Sequence, residues 1–247
     1  MLENSLDLAA LDGTVLCWPG EREAALRGWS LRTGTSPALR ANSAFPFASD
    51  ADTSEETLGL LEVFFRERAR IPAFRITPFG PCVELDQRLA EADYSLAEPT
   101  LVMTASLGSS SSDLTGSELV GADEDWLDLL GLVASQPPRI RAHYGVVLPR
   151  APRDRVRVAV ESEGRVVAVA LGLITDGWLG LFDVVTAPDH RGRGHARRAI
   201  RRVHAEARAR GVERAFLYTT EDNDRAIGLY TGLGYREAYA YHYRVLR

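Results

Sequence analysis

The chain has 247 residues, 45% hydrophobic, 26% charged and 8% aromatic, a folded globular profile rather than a disordered or collagen-like one. Its 29 basic residues are all arginine and are outnumbered by 34 acids, a net charge of −5 that argues against a general nucleic-acid binder. Cys17 and Cys82 are too few for a disulfide framework or a thiolate metal site.

Residues 1–7 are acidic where a secretory signal is basic, and no apolar run reaches the roughly 18 residues of a membrane span. The expectation is a soluble, reduced, cytoplasmic protein without a membrane partner.

In chain order, the first half offers strands over residues 28–32 and 39–47 and a helix over 55–70 with Leu58, Leu61, Phe64 and Phe65 on its apolar side. A strand over 71–77, a helix over 83–92 and a strand over 100–107 follow. Residues 108–113, Gly-Ser-Ser-Ser-Ser-Asp, cannot bury apolar surface and read as a linker. Charge shifts beyond this point: residues 151–247 hold 17 arginines against 12 acids, and the rest is net negative. The expected partition is therefore a domain over 1–108, a linker over 109–120 and a second domain over 121–247.

In that second domain, helices are expected within 123–148 and an alternating strand over 155–161. Glu163-Gly164 and Asp176-Gly177 are turn dipeptides that set off strands over 165–175 and 178–186. An Ala- and Arg-rich helix spans 196–210, with Ala196, Ala199, Ile200 and Val203 on one face and Gly211 as its stop. A strand over 213–220, a helix over 222–232 and a strand over 235–245 complete the order β-β-β-α-β-α-β. Residues 89–94 hold in their half the place that 230–235 hold in the other, as in a degenerate internal repeat. Two unrelated α/β units of similar order are the alternative.

The chemistry concentrates where the strand ending at Thr186 is stopped by Pro188 and a Gly-rich loop opens into the long helix. The first amides of a helix lack intrahelical partners and carry the positive end of its dipole. Gly192 and Gly194 let phosphate oxygens approach those amides, and Arg191, Arg193, Arg197 and Arg198 add positive charge. A Walker A loop requires lysine, which is absent, and a dinucleotide fingerprint requires a third glycine where Arg197 stands. His190 and His195 lack helical i, i+4 spacing for zinc, so no metal is expected.

Arg191, Gly192, Arg193, Gly194, His195 and Ala196 match the Gln/Arg-x-x-Gly-x-Gly/Ala pyrophosphate loop of the GNAT superfamily of N-acetyltransferases. Residues 223–235 look like that family's Asn-x-x-Ala-x-x-Leu-Tyr-x-x-x-Gly-Phe segment. The sequence from 155 to 247 thus resembles a GNAT domain. The resemblance implies an α/β (α+β) fold, with a mixed, mostly antiparallel central sheet flanked by helices, and the degenerate repeat adds the expectation of two tandem related domains.

It further implies direct transfer of an acetyl group from acetyl-CoA to a primary amine of a small molecule or peptide. Val184, Val185 and Thr186 would pair with the pantetheine arm, Arg191 to Ala196 would hold the pyrophosphate, and Arg197 or Arg198 would meet the outer phosphate. Asn223 would touch the pantetheine or reacting end, and Tyr230 would protonate the departing thiolate.

Relatives that acetylate protein N-termini carry a Glu five positions before the Asn; here that position is Tyr218. Asp183 is the best carboxylate for the general base, with Glu221 and Asp222 placed to attract a cationic substrate. Residues 48–54 are acidic and lack glycine, so the first half is not expected to bind CoA; Trp18, Trp29, Arg32 and Asn42 are candidates for an acceptor wall. A catalytically inactive acyl-CoA-binding regulator is the alternative, and a nucleotide-binding module the remoter one.

Overall fold

The computed structural model describes residues 5–108, 115–135 and 138–246, so most of the small-residue run at 108–113 lies outside the described residues. The first half runs α1 (Ser5–Val15), β1 (Arg22–Leu26), β2 (Trp29–Thr33), β3 (Ala44–Pro46), α2 (Glu55–Arg66), β4 (Ala73–Ile76), α3 (Cys82–Glu91) and β5 (Ser95–Ser106). Then come β6 (Ser117–Leu119), α4 (Asp123–Ala134), α5 (Pro138–Val147), β7 (Arg155–Ser162), β8 (Arg165–Thr175) and β9 (Trp178–Thr186). The chain closes with α6 (His195–Ala209), β10 (Arg214–Thr220), α7 (Asp224–Thr231) and β11 (Arg236–Val245).

The turn dipeptides act as expected. Glu163 and Gly164 take φ of +55° and +76°, and Asp176 and Gly177 +50° and +73°, the double left-handed geometry that matches strand twist in a two-residue hairpin. Arg27 and Gly28, at +46° and +85°, turn β1 into β2 in the same way, although Arg-Gly carries no such signal in sequence.

Several expectations need correction. The strand over 39–47 shrinks to β3, because Leu39–Ala41 form a 3-10 turn. The helix over 55–70 ends at Arg66, and Ala69 takes φ of +51° as the chain reverses. Ser117–Leu119, inside the expected linker, pair antiparallel with β7 as an edge strand.

Among the described residues eleven strands form one sheet, in the order β1-β2-β3-β4-β11-β5-β10-β9-β8-β7-β6. The halves exchange strands at its centre. β11 lies between β4 and β5, antiparallel to both, while β5 lies between β10 and β11. Helix α6 covers β7, β8 and β9 on one face through Ala199, Ile200, Val203 and Ala207, and α4 covers the other through Trp126, Leu127, Leu130 and Val133. In the first half, Leu61 and Phe65 of α2 and Leu85 of α3 pack on Trp29, Leu31 and Phe74.

Helix α1, which has no counterpart among the expected elements, docks through a buried ion pair. Asp12 receives both Arg75 terminal nitrogens, at 2.5 and 2.7 Å, and accepts a hydrogen bond from Tyr239. No described helix is long and apolar enough to cross a membrane.

Candidate active site

Strands β9 and β10 pair in parallel only through Trp178–Gly180 and Arg214–Phe216. Beyond that point β8 holds β9 as far as Thr186 and β5 holds β10 as far as Thr220, so the two splay apart. The opening is a cleft of about 710 Å³. Val184, Val185 and Thr186 line its β9 side; Arg191, Gly192, Gly194, His195, Ala196 and Arg197 line its floor; Asn223 and Tyr230 close it from α7. Eleven expected residues are thus brought to one space. Arg193 is exposed outside the lining, and Arg198 is directed toward Gly116, away from the cleft.

The floor is built to receive acceptor atoms. The first intrahelical bond of α6 runs from the Arg198 amide to Gly194 O at 3.0 Å, so the amides of His195, Ala196 and Arg197 have no helical partner. Gly192 and Gly194 take φ of +81° and +83°, a conformation other residues hold only under strain. Thr186 Oγ1, His190 Nε2 and both ring nitrogens of His195 are buried without a hydrogen-bond partner. Burial, helped by Arg198, His190 and Arg193, pushes the His195 imidazole below its ordinary range, so it is neutral at pH 7. The unpartnered α6 amides, beside Gly192, Gly194 and Arg191, suit a pyrophosphate.

Arg197 is partly committed elsewhere, since its Nη1 donates to Gly232 O at 2.8 Å. Asn223 caps α7, its side chain accepting from the Ala226 amide at 3.2 Å. Arg225, missing from the sequence-derived set, also lines the cleft. The corresponding loop of the first half is closed on itself: Ser54 Oγ accepts from the Thr57 amide and Asp52 from the Ser54 amide.

Past Val184 and Tyr230 the cleft meets a second cavity of about 240 Å³, which Asp183 lines. Asp183 sits in a β-bulge with φ of +47°, where it and Val184 together face Ala170. Its Oδ1 accepts a hydrogen bond from Tyr144 of α5 at 2.5 Å. Burial raises its pKa above the ordinary carboxylate range, against the lowering pull of Tyr144, Arg40 and His143. Burial, with Asp183 nearby, pushes the Tyr230 phenol up to about 12.

The family model described as "Probable histone acetyltransferase Rv0428c C-terminal" matches residues 6–244. The chain belongs to that family. It is an N-acetyltransferase of the GNAT superfamily. Uncharacterized N-acetyltransferase YobR of Bacillus subtilis (strain 168) is 27% identical over 237 residues, covering 93% of this chain and 94% of YobR. Two solved structures share the fold. A GCN5-related N-acetyltransferase from Kribbella flavida has a TM-score of 0.69 at 16% identity, over 99% of this chain and 96% of that one. One from Sphaerobacter thermophilus has 0.60 at 19%, over 83% and 73%.

The acetyltransferase draws the wall of its second cavity from both halves. Trp18, Ser36 and Arg40 come from the first, His143 and Tyr144 from α5, and Phe182 and Tyr218 from the central strands. A narrow extension of about 30 Å³ reaches Arg32 and Arg75. Of the four expected wall residues, Trp18 and Arg32 line these spaces. Trp29 is fully buried against Phe74 with its indole N–H on Asp52 O, and Asn42 is buried bracing the turn through Ser36 O.

Ser36, Arg40, His143 and Tyr144 have no local sequence signal; they meet only through the tertiary fold. Glu221 and Asp222 are exposed and line neither space.

Proposed function

We propose that the acetyltransferase moves the acetyl group of acetyl-CoA directly to a primary amine, with the diphosphate held ahead of α6 and the amine delivered through the second cavity. The observation that carries this reading is the cleft floor, where the first turn of α6, whose His195, Ala196 and Arg197 amides have no intrahelical partner, lines one space with Gly192, Gly194 and Arg191. Residues 121–247 supply the thioester side, and residues 1–108 act as a GNAT-like partner walling the acceptor side. The symmetric exchange of β5 and β11 supports that tandem relation.

When bound, acetyl-CoA supplies an activated acyl group. Asp183 takes the proton of the incoming ammonium through Oδ2, while Tyr144 fixes Oδ1. Tyr230 donates to the departing sulfur. With the phenol near 12 and an ordinary thiol near about 8.5, the donated hydrogen bond stabilises developing thiolate in the transition state without complete proton loss. A backbone N–H on the splayed β9 polarises the thioester carbonyl.

Calorimetry with acetyl-CoA, ATP and NAD, followed by thiol release over an amine panel, tests the assignment. Selective acetyl-CoA binding with amine-dependent release supports it. Binding without release across the panel would leave a regulator, and absence of acetyl-CoA binding would remove the reading. Tyr230→Phe is expected to lower kcat about 10–100-fold while leaving acetyl-CoA affinity unchanged.

A further inference from the structure

Three arginines line the second cavity and its extension, and two are already satisfied. Arg75 is locked to Asp12 at 2.5 Å. Arg32 donates Nε to Glu23 Oε1 at 2.9 Å and Nη2 to Leu16 O at 3.1 Å. Arg40 differs. On the turn Leu39–Ala41 it keeps its side chain open to the cavity and makes no hydrogen bond or ion pair among the described residues. Glu98, in the bulge of β5, and Asp183 lie within its electrostatic reach without pairing with it.

An exposed guanidinium bordering a cavity walled by Trp18, Phe182 and Tyr218 has its donors free for a ligand, and a planar carboxylate fits its fork of donors. The same cavity holds Asp183 at its thioester end, a carboxylate suited to an ammonium. Opposite charges thus line one space of about 240 Å³, below the roughly 300–1,000 Å³ of drug-sized ligand sites. One guanidinium answers one negative charge, and a phosphate monoester would meet Asp183 as a second anion.

From this we infer that the acceptor is a small zwitterion, an amino-acid-like molecule whose amine lies at Asp183 and whose carboxylate is bound by Arg40. This rests on the transferase reading for the direction in which the amine points. It does not need turnover to be tested. Arg40 becomes a specificity-determining residue, and a lysine-rich peptide lacking a nearby carboxylate becomes a poor acceptor.

The test measures binding and transfer separately. Calorimetry on the intact chain uses the common L-α-amino acids and short ω-amino acids, each beside its carboxamide, with and without CoA. At least one acid is expected to bind about tenfold or more tightly than its amide. Arg40→Gln is expected to erase that difference, while Arg40→Lys keeps part of it and unfolding midpoints confirm that both variants fold.

No preference for any acid over its amide, or a preference that survives Arg40→Gln, overturns the inference. Thiol release with the same panel reads the other question. Release from amides and acids alike, unaltered in Arg40→Gln, removes the zwitterion and leaves the transferase standing. Acid-selective binding without release removes the transferase and leaves the Arg40 site.

Discussion

Tyr144 donates its phenolic hydrogen to Oδ1 of Asp183 across 2.5 Å, tying α5 to the bulge of β9. The bond occupies Oδ1, leaving Oδ2 as the oxygen that takes the proton in the proposed mechanism. Because burial raises the Asp183 pKa, the ionised form is the strained one. Activity that needs the carboxylate must fall as pH drops through that raised value. The pH profile of kcat/KM is expected to show an acid limb above the ordinary aspartate value of about 4. Asp183→Asn should abolish the limb and lower kcat about 100-fold or more.

The same residue carries an opposite stability effect. A carboxyl whose folded pKa is raised favours folding at low pH, and that contribution is lost as pH rises through the folded value. Asp183→Asn keeps the acceptor for Tyr144 and removes the buried charge. Its thermal midpoint at pH 7 should match or exceed that of the unmodified chain, read by calorimetric scanning.

At Gly194 a Cβ would meet open space, so the cost of Gly194→Ala comes from its φ of +83° alone. About 1–2 kcal/mol of strain is expected. It is relieved by moving the loop and so misaligning the His195 and Ala196 amides. The acetyl-CoA dissociation constant should rise about tenfold or more in calorimetry, with a small change in urea midpoint.

Removing one member of the Asp12–Arg75 pair strands the other in the interior. Asp12→Ala is expected to cost about 3–5 kcal/mol in urea unfolding. Asp12→Leu combined with Arg75→Met should recover most of that loss, and a double variant no more stable than Asp12→Ala would show that the pair acts differently.

His204 of α6 is half-buried near Arg208, and loss of solvation, followed by the Arg208 charge, lowers its pKa to about 4. Its Nε2 lies 2.9 Å from Tyr235 Oη, an arrangement of the neutral ring accepting from the phenol. A base with a depressed folded pKa contributes stability in full above its unfolded value of about 6.5, and loses it as pH falls toward about 4. The loss is on the order of 3 kcal/mol. Urea midpoints between pH 7 and pH 4 should drop less in His204→Gln than in the unmodified chain.

The second half was legible because its signals are local. β8 ends and β9 begins where Asp176-Gly177 turns the chain, and the face of α6 repeats at helical spacing. β1 has exposed residues at four of its five positions and offers no alternation to read. α1 buries Asp12 and Thr14 beside Leu11 and Val15, a mixed face whose logic depends on Arg75, 63 residues away.

The cleft residues followed from the loop motif, whereas the second cavity did not. Arg40 and His143 are separated by a hundred residues and look ordinary until the sheet brings them together. His143 Nδ1 lies 2.5 Å from Glu21 Oε1, a partner 122 residues away in sequence. The exchange of central strands leaves no trace in either half read alone.

That exchange sets an order for biosynthesis. β4 and β5 each present a naked edge to the slot that residues 236–245 will occupy. At about 5–20 residues per second, the slot waits on the order of 10 s after β5 emerges from the ribosome. Through that interval the nascent chain carries open hydrogen-bonding edges on β4 and β5, the condition in which chains pair with the wrong neighbour. A stop codon shortly before Arg236 should therefore yield inclusion bodies rather than a smaller soluble enzyme.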